Sequence, residues 1–169
     1  MKLIVEKTPD LQSLYEKMLR LLLSAEEMTA VKLSFLVDSA TDPELRQALA
    51  EQEQQTEAHA ARLKDILGRT TDEADPLKCK VIYALFDEAD DLLKGASQEG
   101  VRNALIITAA QRIEHYKIAA YGAVRQYARV LGCDDDARIL DKTMQEEKQS
   151  DRQLTSMAER INPAAKKAA

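Results

Sequence analysis

The sequence lacks the residues on which several protein classes depend. Its 169 residues include no tryptophan, two cysteines, four prolines and five glycines. Two scattered cysteines, with no Cys-x-x-Cys pair, exclude a disulfide framework and are typical of a reducing compartment. We therefore expect a cytoplasmic protein that folds around an apolar core, because a chain of this length can bury a sizeable one.

Charge and hydropathy exclude further classes. No apolar run approaches the roughly 20 residues of a membrane-spanning helix, and the apolar N-terminal run is too short for a signal peptide. The net charge of −5, without a basic stripe that carries aromatics, predicts repulsion from nucleic acids and anionic membranes. Motifs for nucleophilic catalysis and phosphate binding are absent. We expect neither a nucleic-acid nor a membrane partner.

Strong helix formers fill the stretches between the prolines and glycines. Proline costs about 3 kcal/mol inside a helix, so the long proline-free stretches, with apolar residues three and four apart, predict helices. The predicted helices cover residues about 10–37, 43–67, 99–131 and 134–161, with one or two shorter helices over 77–94. Residues 1–163 are predicted to form one domain, followed by a disordered tail over 164–169.

The order of these helices predicts an all-α fold. Two tight antiparallel hairpins, joined by a long crossover that contains the short helices, are typical of a ferritin-like four-helix bundle. The third long helix is apolar on most of its sides, so we expect it to be the most buried element.

Polar residues interrupt the apolar inner face of each long helix. They are Glu26 on the first, Gln52, Gln55 and His59 on the second, Glu114 on the third, and Glu147 and Asp151 on the fourth. One inward-leaning glutamate is common in a chain with 31% charged residues. Unpaired buried carboxylates are costly, however, and buried charges usually pair or bind metal. Interruptions on all four helices therefore indicate a shared polar layer.

The heights of these residues along the bundle agree. Residues equidistant from the turn of an antiparallel hairpin face each other, so Glu26 faces Gln55 and His59, and Glu114 faces Glu147 and Asp151. All lie roughly 20–27 Å from their turns, at about 1.5 Å per helical residue. The two hairpins thus carry matching halves of one layer, as an internal repeat would.

Carboxylates and an imidazole from facing helices are the ligands of di-iron and di-manganese centres. The layer therefore predicts a dinuclear iron or manganese site, with zinc as a substitute. The predicted metal ligands are Glu26, His59, Glu114, Glu147 and Asp151. Weaker or outer roles are predicted for Gln52, Gln55, His115 and Tyr121, and His115 is expected in or beside the core.

Four runs of sequence are distinctive beyond their composition. They are Ser24-Ala25-Glu26-Glu27, Gln55-Thr56-Glu57-Ala58-His59, Glu114-His115-Tyr116-Lys117-Ile118-Ala119-Ala120-Tyr121-Gly122 and Glu146-Glu147-Lys148-Gln149-Ser150-Asp151. Together they resemble the bacterial DUF892 (YciF/YciE-like) family over nearly the whole chain, and the third run is the most specific. The resemblance implies ferritin-like stress-response proteins that bind a metal pair similar to that of rubrerythrins and that form homodimers.

The chain departs from this family pattern on two helices. Gln52 stands where the family often has a histidine, and Gln54 or Gln55 stands where it often has an acid. Thr56 removes the usual Glu-x-x-His motif of the second helix, and Lys117 replaces a frequent glutamate on the third. The half-site on the first two helices is therefore predicted to be the weaker one for a hard cation.

Two functions stay open from the sequence. The first is a ferritin-like metalloprotein that binds iron or manganese and acts on peroxide or oxygen. The second is a non-catalytic structural or interaction protein with a degenerate metal site, in which inward bases neutralise the acids. The candidate bases are Lys32, Arg112 and Lys148. The sequence alone decides neither whether the protein is an enzyme nor which metal or substrate it would use.

Overall fold

The computed structural model describes residues 7–166, which form five helices and no strand. The helices are α1 (Leu11–Ser39), α2 (Pro43–Thr70), α3 (Lys80–Gly95), α4 (Glu99–Val130) and α5 (Asp134–Lys166). The all-α prediction is therefore confirmed for this part of the chain. Within the same residues, no helix has the length and apolar character needed to cross a membrane.

Capping residues determine where the long helices begin and end. The carboxylate of Asp10 accepts a hydrogen bond from a backbone N–H in the first turn of α1 (2.8 Å). Asp42 accepts one from the N–H of Leu45 (3.0 Å), and Pro43 occupies the first position of α2. Gly132, with a φ of 75°, adopts the left-handed conformation that follows the end of α4.

The bounds of α2 and α3 differ from those predicted. α2 continues past Gly68, because a glycine inside a helix costs only about 1 kcal/mol and the adjacent Leu67 is buried in the core. The crossover holds one helix, α3, which begins three residues later than predicted. The backbone N–H groups of Leu77 and Cys79 instead donate to residues of α1 (3.1 Å each), which holds this segment against the bundle.

The end of α5 is also longer than predicted. α5 runs through Pro163 to Lys166, so residues 164–166 are helical rather than part of a tail, while residues 167–169 lie outside the described residues. A proline this close to the helix end removes only one of the last intrahelical hydrogen bonds. The last turn also packs on the start of α4, where a Cβ added to Gly100 would lie 2.9 Å from Cα of Ala165.

The four long helices pack as two hairpins. α1 lies against α2 and α4 against α5, α1 also contacts α4, and α2 contacts α5, while α3 packs on α4 and α1. Two apolar clusters form the core, one containing Tyr15, Leu63, Val124 and Leu140 and the other containing Leu36, Leu49, Ile107 and Leu154. Each long helix contributes to both clusters, so a polar stretch on each helix falls between them.

Candidate functional site

Buried polar side chains lie between the two apolar clusters. Each long helix supplies at least one, and those predicted as metal ligands are Glu26 from α1, His59 from α2, Glu114 from α4 and Glu147 from α5. None of these four residues is more than 2% exposed. The structure thus brings together four of the five residues that the sequence predicts as metal ligands.

The imidazole of His59 lies between two of the glutamates. Its Nδ1 atom is 2.9 Å from Oε1 of Glu147 and 3.9 Å from Oε1 of Glu26. One ligand atom from each of these three residues lies within 4.8 Å of the others. One metal ion placed between them would therefore be within reach of all three.

A fifth buried residue, Lys117, contacts all three glutamates. Its side chain is 0% exposed, and its Nζ lies 2.8 Å from Oε1 of Glu147. The same Nζ is 3.4 Å from Oε2 of Glu26 and 3.5 Å from Oε1 of Glu114. We refer to Glu26, His59, Glu114, Lys117 and Glu147 together as the polar layer.

Lys117 is the base that neutralises the layer, and the three bases suggested by the sequence are not. Lys32 pairs with Asp90 (2.7 Å) and Arg112 with Glu88, both on α3. Lys148 has no ion pair with any residue in the range 7–166. The sequence does indicate this contact, because Lys117 follows Glu114 by three positions and such residues lie on the same helical face.

Further polar contacts surround the layer. The hydroxyl of Tyr121 donates to Oε1 of Glu26 (2.7 Å), and the amide of Gln52 donates to Oε1 of Glu114 (2.5 Å). On the other side of His59, Nε2 lies 2.9 Å from Oε2 of Glu146, which also pairs with Arg62. Tyr121 and Gln52, for which outer roles are predicted, thus contact glutamates of the layer, and Glu146, for which no role is predicted, contacts its histidine.

Three other predicted residues lie away from the layer. Oδ1 of Asp151 is 3.4 Å from Nε2 of His115 and accepts a hydrogen bond from Gln111 (3.3 Å), at the seam of α4 and α5. The side chain of His115 is 68% exposed, so its expected place in or beside the core is wrong. Gln55 is exposed and accepts a hydrogen bond from Ser150 (3.3 Å).

Burial and mutual repulsion separate the pKa values of the three glutamates. Burial raises the pKa of Glu114 well above its usual range, and the charge of Glu147 raises it further. Burial also raises the pKa of Glu26, to about 7, against the opposing charge of Lys117. For Glu147 the effect of burial is outweighed by the charge of Lys117 and by the hydrogen bond with His59, so its pKa falls below the usual range.

The glutamates favour the charged form of both basic members of the layer. Burial opposes the charge on Lys117, but the three glutamates outweigh it and raise the pKa of the ammonium. Burial likewise opposes the charge on His59, whose pKa is nevertheless raised by Glu147 and Glu26. The ammonium of Lys117 therefore offsets carboxylate charge within the layer itself.

The residues present meet only part of what a metal centre needs. The donor atoms are of the kinds that iron, manganese and zinc bind. Oε2 of Glu114 and Oγ1 of Thr56 are buried without a hydrogen-bond partner among the described residues. However, a metal pair would need the oxygens that Lys117 contacts and would lie beside a buried ammonium, where repulsion is strong. The layer therefore does not fit a dinuclear centre.

Fold and layer together define an all-helical protein with a buried, lysine-neutralised carboxylate centre. Residues 10–167 match the family described as a domain of unknown function, DUF892. The chain belongs to the DUF892 family, which confirms the resemblance seen in the sequence.

Known relatives match over most of their length. Protein YciF of Escherichia coli (strain K12) is 32% identical over 146 residues, which cover 86% of this chain and 87% of that protein. The crystal structure of the E. coli stress protein YciF matches with a TM-score of 0.88 and 27% identity, covering 92% of this chain and 99% of that one. YcfI of Rhodopseudomonas palustris, whose description proposes a structural role, matches with a TM-score of 0.86 and 28% identity, covering 90% of this chain and 98% of that one.

Proposed function

We propose that this protein is a non-catalytic structural or interaction member of its stress-protein family. In this proposal the chain is a ferritin-like bundle with a degenerate metal site. The observation that carries the proposal is that the polar layer is closed and contains its own positive counter-ion. Lys117 supplies the positive charge that a dinuclear centre would otherwise supply, and its three glutamate partners come from three different helices.

Restricted access to the layer supports the same proposal. Glu26, Glu114 and Glu147 are each at most 1% exposed, so a reactant would have to open the bundle to reach them. A cavity lined in part by Gln52, the hydrogen-bond partner of Glu114, has a volume of only about 10 Å³. This space holds about one water molecule.

The relatives and the cysteines are in keeping with such a role. The description of YcfI of R. palustris proposes a structural role, and YciF of E. coli is described as a stress protein. Cys79 and Cys133 are both free, which supports a reducing cytoplasm as the place where the protein works.

A second candidate function is a metalloprotein with one divalent ion. It is favoured by the three ligand atoms of Glu26, His59 and Glu147, which lie within 4.8 Å of one another. Iron or manganese, or zinc as a substitute, would suit these donors and would supply redox or Lewis-acid chemistry toward peroxide or oxygen. The chain's own part would be to hold the ion, with Tyr121 orienting Glu26 through their hydrogen bond. Lys117 would have to withdraw from Glu147.

Metal reconstitution separates the two candidates. The purified protein would be incubated with Fe²⁺ or Mn²⁺ under anaerobic conditions, desalted and analysed for bound metal, and then assayed for peroxide consumption. We expect substoichiometric metal in the wild type, the same in a Glu26→Gln variant, and no peroxide consumption above the buffer. One ion per chain in the wild type, lost in the Glu26→Gln variant, would instead establish the single-ion metalloprotein.

We also propose that the protein forms a homodimer through the outer face of α1 and α3. Val31 and Phe35 are 70% and 63% exposed and lie one turn apart on α1. Phe35 also lines one side of a surface cavity of about 380 Å³, together with Asp90, Leu93, Lys94 and Arg102. An apolar projection and a neighbouring hollow on one face suit a twofold symmetric contact, because each copy can fill the hollow of the other.

Sedimentation analysis tests this dimer. The wild type is expected to sediment as a dimer and a Phe35→Asp variant as a monomer with unchanged helical content. Val130→Asp is the matched control, since Val130 is 65% exposed at the far end of α4. A monomeric wild type, or a dimer that survives the Phe35→Asp change, would contradict the proposed interface.

A further inference from the structure

Lys117 occupies the position from which a cation can reach every carboxylate of the polar layer. Its Nζ lies 2.8, 3.4 and 3.5 Å from oxygens of Glu147, Glu26 and Glu114, respectively. A lysine is rarely buried without such partners. The ammonium group of Lys117 therefore occupies the place that a metal ion bound by these three glutamates would take.

The remaining donors would be adequate for a cation if the ammonium were absent. Glu26, His59 and Glu147 already bring their ligand atoms within 4.8 Å of one another. Oε2 of Glu114 has no hydrogen-bond partner among the described residues, so it is available as a further oxygen ligand. Three carboxylates and an imidazole are a donor set that suits Mn²⁺, Fe²⁺ or Zn²⁺.

We propose that Lys117 is a built-in counter-ion that closes the polar layer to divalent cations, so that removing its amine alone converts the layer into a divalent-cation site. The ligands of that site would be Glu26, His59, Glu147 and Glu114. The inference rests on the proposed metal-free state of the wild-type protein. The inference adds that Lys117 keeps the layer free of metal and that a divalent cation could take the place of its ammonium.

Loss of the ammonium has two opposite consequences for the layer. Without a cation, three buried carboxylates remain with only His59 to offset their charge, which destabilises the fold. With a divalent cation, the charge is again compensated, and the bound ion stabilises the folded state by mass action. The stability of a Lys117 variant should therefore depend on metal, whereas that of the wild type should not.

The test compares Lys117→Met with the wild type in the full chain. Methionine is unbranched and of similar length but carries no charge. Thermal unfolding would be followed by circular dichroism with and without Mn²⁺ or Zn²⁺, and affinity would be measured by titration calorimetry. We expect the melting temperature of the variant to rise by several degrees with metal and its affinity to exceed that of the wild type by roughly tenfold or more.

Two control variants separate the buried ammonium from positive charge in general. Lys117→Arg keeps a positive charge in the layer and is expected to bind no metal. Lys64→Met removes an exposed positive charge that pairs with Glu27 on the surface (2.8 Å), and it should behave as the wild type does. Metal binding by Lys117→Arg as tight as that of Lys117→Met would overturn the proposal.

A Lys117→Met protein that does not fold without metal would still decide the question. Refolding from urea with Mn²⁺ would then restore its helical signal if the proposal is right, and failure with both Mn²⁺ and Zn²⁺ would overturn it. A folded variant that binds neither ion would also overturn the proposal, while the metal-free wild type and its proposed function would stand. Wild-type binding as tight as that of the variant would overturn this inference and the proposed function together.

Discussion

The two halves of the polar layer share a register but not a chemistry. Glu26 and His59 of the α1–α2 hairpin correspond to Glu114 and Glu147 of the α4–α5 hairpin, each at a spacing of 88 residues. At the same spacing, Thr29 corresponds to Lys117. The repeat therefore places two side chains of very different charge at equivalent positions in the core.

Thr29 and Lys117 make different kinds of contact at their equivalent positions. The hydroxyl of Thr29 donates to the carbonyl of Ala25 in its own helix (2.7 Å) and so satisfies itself locally. The ammonium of Lys117 instead reaches glutamates on three helices, two of them outside its own. The α4–α5 half thus supplies the lysine charge of the layer, which reaches the α1–α2 half through Glu26.

The largest effect is expected from removing that charge. Lys117→Ala should lower the free energy of unfolding by about 3–5 kcal/mol, because it breaks a buried ion network and leaves the carboxylates uncompensated. Thr29→Ala, at the equivalent position, should cost only about 1 kcal/mol for its hydrogen bond. Urea unfolding at pH 7 measures both. Equal losses would mean that the two halves do not differ in the way the contacts suggest.

Substituting two of the glutamates that contact Lys117 should give a smaller difference in the free energy of unfolding than the Lys117 and Thr29 substitutions do. Glu147→Gln removes the nearest partner of the ammonium and should cost about 3 kcal/mol at pH 7. Glu26→Gln should cost about 1 kcal/mol, since burial raises the pKa of Glu26 to about 7 and the group is already partly neutral. The same urea titrations test this order, and a Glu26→Gln loss larger than that of Glu147→Gln would reverse it.

The pH dependence of stability should also separate the glutamates. The pKa of Glu26 is raised from 4.5 to about 7, so its favourable contribution is present at acidic pH and is lost as the pH rises through this window. His59, whose pKa is also raised, contributes stability below 6.5 that is lost as the pH rises through its folded-state pKa. Glu147 behaves oppositely. Because its pKa is lowered, its contribution to stability is present above pH 4.5 and is lost as the pH falls below that value.

Between pH 5 and pH 8 the free energy of unfolding should therefore decrease, and Glu26→Gln should make this decrease smaller. Urea unfolding at several pH values across the range gives the slope for each protein. Asp151→Asn serves as the control, since Asp151 lies outside the layer and should leave the slope unchanged. An identical slope in the wild type and the Glu26→Gln variant would show that Glu26 does not titrate in this window.

Sequence reasoning located the layer because helical period and turn positions determine which residues share a height. It did not assign Lys117 its place, because a lysine on a helix usually extends to solvent. Its burial depends on glutamates from α1 and α5, and only the packed bundle brings these to it. The extension of α5 past Pro163 has a similar origin, since it accompanies the close approach of Ala165 to Gly100 on another helix.

Asp151 should give the smallest effect, although it was predicted as a ligand beside Glu147. Four residues further along α5, it lies one turn away and faces the exposed His115 at 3.4 Å. An ion pair with one exposed partner contributes little, and an asparagine can still accept the hydrogen bond from Gln111. Asp151→Asn should therefore change the free energy of unfolding by no more than about 0.5 kcal/mol in urea titrations. A loss comparable to that of Glu147→Gln would instead make Asp151 part of the layer and extend the α4–α5 half by one turn.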